Sequence, residues 1–346
     1  MDVVLLLAVA SVIVILLFDV TNGFHDASNM IATVVASRAM SPVQAVILVG
    51  TFHFIGPLLG GTAVANTIGK FVDVSSLDVV VSLTIILCGL SGAILWNVLT
   101  WWFGIPSSSS HALVGGLIGA VVFASGTQHV VWGFSQLLEG ELTGVTKVIL
   151  ALVISPLIGF WVGFALHRLM GFLLQGARPS MNRNLRGVQW LTAAGLSFSH
   201  GANDAQKSMG IITMVLILSG YISEFVVPLW VVLSCAAMIT LGTLMGGWRI
   251  VRTVGFGIYK VRPLHAVDAQ LTSALVIFGA SAIGAPVSTT HVVSSSIMGI
   301  GASERPKAVR WGKAQEIIST WLITIPGAAL AAAVFYWLVH LTIGVG

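Results

Sequence analysis

The sequence predicts an all-α integral membrane protein of about ten transmembrane segments, arranged as two repeats of opposite topology with broken helices at the midplane. Three observations carry this expectation: apolar blocks of bilayer-spanning length, basic residues confined to alternate loops, and three signatures that recur once in each half. Of the 346 residues, 56% are hydrophobic and 8% charged, whereas a soluble domain carries about 25% charged residues. A spanning helix takes about 20 residues, and the blocks 43–66, 79–103, 148–166 and 225–248 are of that order. The short alternating segments of a membrane barrel are absent from the pattern.

The segments are placed at 3–36, 43–66, 78–103, 111–125, 147–169, 188–218, 225–248, 268–284, 290–302 and 315–341. Met1-Asp2 offers no basic stretch and no small-residue cleavage site follows, so the first apolar run reads as a membrane helix, not a signal peptide. As one straight helix, 3–36 would measure about 50 Å against a hydrocarbon core of about 30 Å. A break at Asn22-Gly23 is therefore predicted, with a matching break in 188–218. Segments 111–125 and 290–302 are short enough either to cross or to dip back, and both options stay open. Cys88 and Cys235 lie in apolar segments and read as buried thiols.

Loop charge gives direction, because Lys and Arg are retained in cytoplasmic loops. With both termini outside, the cytoplasmic side receives Arg38, then Arg168 to Arg186, then Arg249 to Arg262, then Arg305 to Lys313. These are thirteen of the sixteen basic residues; Lys70 and Lys147 fall outside, and Lys207 lies within a segment. The formal charge of +4 is thus a matter of loop orientation, and no nucleic-acid partner is expected. Residues 1–170 form the first repeat, 171–187 a cytoplasmic linker and 188–346 the second repeat.

The recurring signatures are Gly23-Phe24-His25-Asp26-Ala27 with Gly201-Ala202-Asn203-Asp204-Ala205, Gly56 to Gly61 with Gly242 to Gly247, and Pro106 to His111 with Pro286 to His291. An odd number of crossings in each half turns the second half upside down. Secondary transporters use this layout to hold substrate near the midplane.

A carboxylate at that depth costs about 3 kcal/mol on insertion scales, so Asp26 and Asp204 need a partner or a function. The plainer alternative is a hydrogen bond that only joins helices. Asp19 lacks a counterpart, and both roles stay open for it. In each Pro-to-His turn, hydroxyls precede a short helix. Ser and Thr cap helix starts, and the free N–H groups there favour anions. Ser107, Ser108, Ser109, Ser110, Ser288, Thr289 and Thr290 could therefore hold a tetrahedral oxyanion, with Asn29 and Asn203 beside them. Two carboxylates next to an anion repel it, so a bound cation or proton is required. Asn22, Asn29 and Asn203 could complete a Na⁺ site at Asp26 and Asp204. Alternatively, His25 and Lys207 could relay protons, or Lys207 could simply neutralise Asp204 one turn away. No cofactor is expected beyond the coupling cation, H⁺ or Na⁺. His111 and His291 are gating candidates. His53 reads as a core residue, while His129, His167, His265 and His340 read as interfacial. The four serines lack a nucleophile elbow, so no enzyme is expected.

Asn22 to Asn29, Ser199 to Lys207 and the Pro286-to-His291 turn resemble the inorganic phosphate transporter (PiT) family, and the similarity extends through Met245-Gly246-Gly247-Trp248-Arg249 and the last helix from Gln315. The resemblance implies secondary uptake of inorganic phosphate, with the Asp motifs and hydroxyl turns as the transport core. Many Na⁺-coupled members carry Asn-Asp-x-x-Asn in both halves; here His25 stands in the first motif and Lys207 ends the second. That pattern resembles the bacterial low-affinity, proton-coupled branch, which implies H⁺ over Na⁺, uptake partly as metal-phosphate, and a prokaryotic plasma (inner) membrane. The stretch between Met170 and Val188 lacks the large hydrophilic insertion of longer relatives. Membrane lipid is an expected partner, and a homodimer is left open. Rival readings are a sulfate or other oxyanion permease of the same fold, an ammonia conduit, and an intramembrane hydrolase for which no catalytic pair is found.

Overall fold

The computed structural model describes residues 3–343. They form thirteen α-helices: α1 Val3–Ala36, α2 Pro42–Leu59, α3 Ala63–Ile68, α4 Val79–Trp102, α5 Ser109–Ser125, α6 Phe134–Leu138, α7 Gly144–Leu173, α8 Met181–Leu218, α9 Leu229–Met245, α10 Trp248–Arg252, α11 Pro263–Ala282, α12 Thr289–Glu304 and α13 Trp311–Ile343. A π-helical turn, Thr253–Gly257, follows α10. Strand-type pairing among the described residues is one isolated bridge between Val72 and Val130. The non-helical stretch between α7 and α8 is 174–180, because α8 starts six residues before the expected linker ends.

The element order repeats. Each half has a long helix (α1, α8), then a helix interrupted at a Gly-Gly pair (α2–α3, α9–α10). A helix leading to a hydroxyl turn (α4, α11), a short helix (α5, α12) and a long closing helix (α7, α13) follow. Long contacts cross between the halves: α1 packs on α9, α8 on α2, α5 on α13 and α12 on α7.

The expected midplane breaks in the first and sixth segments are absent, which corrects the sequence-based reading. α1 passes through Asn22-Gly23 and α8 through Gly201 without interruption. These glycines serve packing instead. A Cβ on Gly23 would lie 2.1 Å from the Ile239 carbonyl of α9, and one on Gly201 would lie 2.4 Å from the His53 carbonyl of α2. The breaks fall at the second signature. Gly61 and Gly246 adopt φ of +76° and +68°, a region that glycine enters without steric cost, and the chain bends by 59° between α9 and the α10 segment. A helix of this length fits a bilayer by tilting or by projecting beyond it.

Among the described residues five helices, α1, α2, α4, α7 and α13, are long and apolar enough to span a membrane, and the bent α9–α10 pair makes a sixth. α8, α11 and α12 carry too many polar residues to qualify by composition, and those residues are buried: Gln189, Asn203, Asp204, Lys207, Asp268, Gln270 and Ser294. The outside is apolar. Leu5, Val9, Ile13 and Leu17 repeat every fourth residue along α1 and are all exposed, as are Leu322, Leu330 and Trp337 on α13. A polar interior inside an apolar exterior is the arrangement lipid demands, and the chain is a multi-pass membrane protein.

His167 and His265 are buried in the protein, where carboxylates distant in sequence meet them. His167 Nδ1 lies 2.6 Å from Asp268 Oδ2, and His265 Nε2 lies 2.9 Å from Glu304 Oε2. Glu304 also accepts from the Tyr259 hydroxyl at 2.7 Å and from the Arg262 guanidinium. This carboxylate ties the end of α12 to the chain entering α11. Glu304→Gln is expected to lower the melting midpoint in detergent by the equivalent of about 1 kcal/mol, less than a buried charge-assisted bond is worth because Arg262 is half exposed. An unchanged midpoint would show the cluster to be ornamental. In the loop before α4, the Ser75 hydroxyl and backbone N–H hold the Asp73 carboxyl below its usual range.

Candidate ion-binding site

The two hydroxyl turns become helix starts, as their composition predicts. Ser108 caps α5 and Ser288 caps α12, each side chain accepting the N–H three residues on, from His111 at 3.2 Å and His291 at 3.3 Å. The first-turn N–H groups of Ser109, Ser110, Thr289 and Thr290 have no intrahelical acceptor. The two starts meet: the Ser110 hydroxyl donates to the Val287 carbonyl at 3.1 Å, and the His111 and His291 rings lie 4.5 Å apart. His291 also stacks on Trp321 at 3.8 Å.

Asp26 projects from the continuous α1 into this junction. Its Oδ2 accepts from Ser109 at 2.8 Å, and its Oδ1 accepts from Thr290 at 2.9 Å and pairs with His25 Nδ1 at 2.9 Å. One carboxylate thus touches the hydroxyl turns of both halves. The far ring nitrogen of His25 lies 3.1 Å from Ser107 Oγ and 3.2 Å from Thr100 Oγ1. Asn29 donates to Thr290 at 2.8 Å, and its own Oδ1 has no protein partner although fully buried.

Asp204 projects from α8 onto the same junction. Its Oδ2 accepts from Thr289 at 3.3 Å and lies 3.2 Å from His200 Nδ1, and its Oδ1 meets the Lys207 ammonium at 2.5 Å. Asn203 donates to Ser281 at 2.8 Å and to the Ala285 carbonyl at 3.4 Å, and its own Oδ1 is buried without a partner. Asp26, His200 and Asp204 each offer one ligand atom within 4.8 Å of the others, so the acids of the two halves lie side by side. The side chains of this cluster are buried, and Trp321, which His291 stacks on, is partly so. The conformation is closed over the site.

The phosphate transporter family matches residues 22–332, nearly the whole chain. The chain belongs to this family. Relatives described as probable low-affinity inorganic phosphate transporters share its full length: that of Bacillus subtilis (strain 168) is 45% identical over 99% of both chains, and that of Rhizobium meliloti (strain 1021) is 44% identical over 96% of both. A solved structure titled the sodium-dependent phosphate transporter superposes with a TM-score of 0.86 over 97% of this chain and 100% of that one, at 23% identity. At that identity the likeness is one of fold.

For a member of this family, most residues singled out in sequence do gather in one place. Asp26, Asp204, His25, Lys207, Asn29, Ser107 to Ser110, Ser288 to Thr290, His111 and His291 form one connected cluster. Asn22, one helical turn before Asp26, makes no side-chain hydrogen bond to it and is buried with neither side-chain polar atom partnered. His53 is a core residue as read, 2.6 Å from Thr243. Two participants were missed. His200 sits four residues before Asp204, a spacing that places both on one helix face. Thr100 shares the far nitrogen of His25, and no pattern in sequence announces it. Asp19 is held by Ser208 at 2.5 Å, outside the hydroxyl junction.

Proposed function

We propose that this chain imports inorganic phosphate by symport with a cation. The phosphate is held between the starts of α5 and α12, and the coupling cation is held against Asp26. The observation that carries the reading is the convergence of two hydroxyl-capped helix starts on two buried acids, one from each half. Free N–H groups, helix dipoles and hydroxyls suit a tetrahedral oxyanion, and the acids suit the positive charge that must accompany it into a closed, buried site. Ser107 to Ser110 and Ser288 to Thr290 take the substrate-side role, with Asn29 and Asn203 adjoining. His111 and His291, their ring centres 4.5 Å apart at the junction, gate it.

The halves 1–170 and 188–346 act as repeats of inverted topology, ten crossings in all, with both termini outside and 171–187 on the cytoplasmic side. The repeated element order and the bias of basic residues to alternate loops support this arrangement. The favoured coupling cation is H⁺: His25 sits on Asp26 at 2.9 Å as a proton partner, and Na⁺ is the alternative. Metal-phosphate is a second substrate form. The membrane is the plasma (inner) membrane of a prokaryote.

The test is ³²P-phosphate uptake into proteoliposomes under separately imposed proton and Na⁺ gradients, for wild type and Asp204→Asn. Uptake driven by the proton gradient and reduced at least tenfold in the variant is expected, because the variant leaves the Lys207 charge buried without its partner. Uptake driven by Na⁺ alone would replace the cation. Sulfate taken up in place of phosphate would sink the substrate assignment.

A further inference from the structure

We infer that the Lys207 ammonium is a resident cation: it fills the cation position at Asp204, so that only the Asp26 position exchanges a cation during transport. This deepens the proposed symport and rests on it for the identity of the transported anion, not for the cation count.

The first observation is the shell around the ammonium. Lys207 Nζ lies 2.5 Å from Asp204 Oδ1, 2.5 Å from Ser110 Oγ and 3.1 Å from the Val287 carbonyl. A carboxylate, a hydroxyl and a backbone carbonyl, drawn from α8, the start of α5 and the turn before α12, are the oxygen types that bind a small monovalent metal ion. The side chain is 1% exposed. An ammonium has three donors and no acceptor, and all three are used. None remains for an anion, so Lys207 is not a phosphate ligand in this arrangement, despite its place beside the helix starts.

The second observation is the corresponding position in the other half. Asn29 follows Asp26 by three residues as Lys207 follows Asp204, and Thr290 occupies the place in its turn that Ser110 occupies in the other. The contacts correspond as well. Lys207 bridges Asp204 to Ser110, and Asn29 reaches Thr290, which in turn donates to Asp26. Where one half supplies a positive charge, the other supplies a neutral amide whose Oδ1 is buried and unpartnered. Asp26 is therefore the acid whose charge a mobile cation must balance, with Asn29 Oδ1 available to complete its shell. Asp204 is balanced by the chain itself.

Lys207→Asn removes the tethered charge and makes the second position like the first. The purified variant is expected to bind one more monovalent cation per protomer than wild type, counted as ²²Na⁺ by equilibrium dialysis together with protons by back-titration. In proteoliposomes, one more positive charge should move per phosphate, read from the gradient at which uptake reverses. An unchanged count in K207N would overturn the inference. If K207N does not fold, the charge-neutral pair Lys207→Asn with Asp204→Asn carries the test. Its bound-cation count, ²²Na⁺ by dialysis and protons by back-titration, is expected to equal that of wild type. A count lower by one would show that Asp204 binds an exchangeable cation in the native chain. These counts need no phosphate. Wild type that gives the expected counts but takes up no phosphate would sink the substrate and leave the inference standing.

Discussion

Asp26→Asn is expected to reduce gradient-driven phosphate uptake at least about a hundredfold while leaving the protein folded. Three donors converge on this carboxylate, Ser109, Thr290 and His25, at 2.8 to 2.9 Å. An amide keeps one acceptor and turns a donor toward at least one of them. The buried hydroxyl or imidazole so confronted loses a charge-assisted bond worth about 1.5–3 kcal/mol, and the site loses the negative charge that would attract the coupling cation. A hundredfold corresponds to about 2.7 kcal/mol, within reach of the first effect alone. Initial ³²P uptake rates, with gel filtration and melting midpoints as controls, measure it. Asp19→Asn supplies the contrast: its carboxylate is equally buried but touches Ser208 and not the hydroxyl turns, so a fall of less than about tenfold is expected for one lost bond. If the Asp26 variant keeps more than half of the wild-type rate, or if Asp19→Asn is the more damaging, Asp26 does not lie at the coupling site.

The membrane class, the order of elements and the membership of the site were legible because each is written in local chemistry. Apolar length marks a span, a Pro followed by hydroxyls marks a helix start, and an acid in an apolar block is conspicuous. What failed was the reading of glycine. Asn22-Gly23 has the composition of a break, yet α1 runs through it, because the same absence of a side chain that permits a turn also permits two helices to touch. Sequence cannot separate the two uses without the partner helix. The burial of His167 and His265 was not legible for a related reason: their carboxylates, Asp268 and Glu304, lie about a hundred and about forty residues away. Lys207 was legible as a neutraliser of Asp204 from its spacing. The completeness of its three-oxygen shell was not, since two of the three oxygens come from other elements.

The glycine contacts set the largest effect on stability. Gly23→Ala and Gly242→Ala are each expected to destabilise the protein by about 3 kcal/mol, the upper end of the usual cost of overpacking. The Cβ at 23 would stand 2.1 Å from the Ile239 carbonyl and 2.9 Å from the Thr243 N–H, and the Cβ at 242 would stand 2.1 Å from the Val20 carbonyl. These obstacles are backbone, which cannot swing aside as a side chain can, so relief requires α1 and α9 to separate. Small residues at such crossings let helices approach closely, where dispersion and polar contacts replace the hydrophobic drive that lipid does not supply. Gly56 and Gly201 make the matching approach between α2 and α8, at 2.3 Å from the Phe198 carbonyl and 2.4 Å from the His53 carbonyl. Controls lie on open helix faces. Gly195 in α8 and Gly279 in α11 have nothing within 4 Å of an added Cβ, and alanine there is expected to stabilise by about 0.5–1 kcal/mol through lost backbone freedom in the unfolded chain. Melting midpoints in detergent would separate the two sets in opposite directions. The same substitution should also silence transport, because Asp26 lies one turn beyond Gly23. A shift of α1 by a few tenths of an ångström would lengthen the bonds from Ser109 and Thr290 that hold the acid between the two helix starts. A Gly23→Ala protein that melts like wild type would mean that α1 and α9 do not approach this closely, and the placement of Asp26 would fall with that contact.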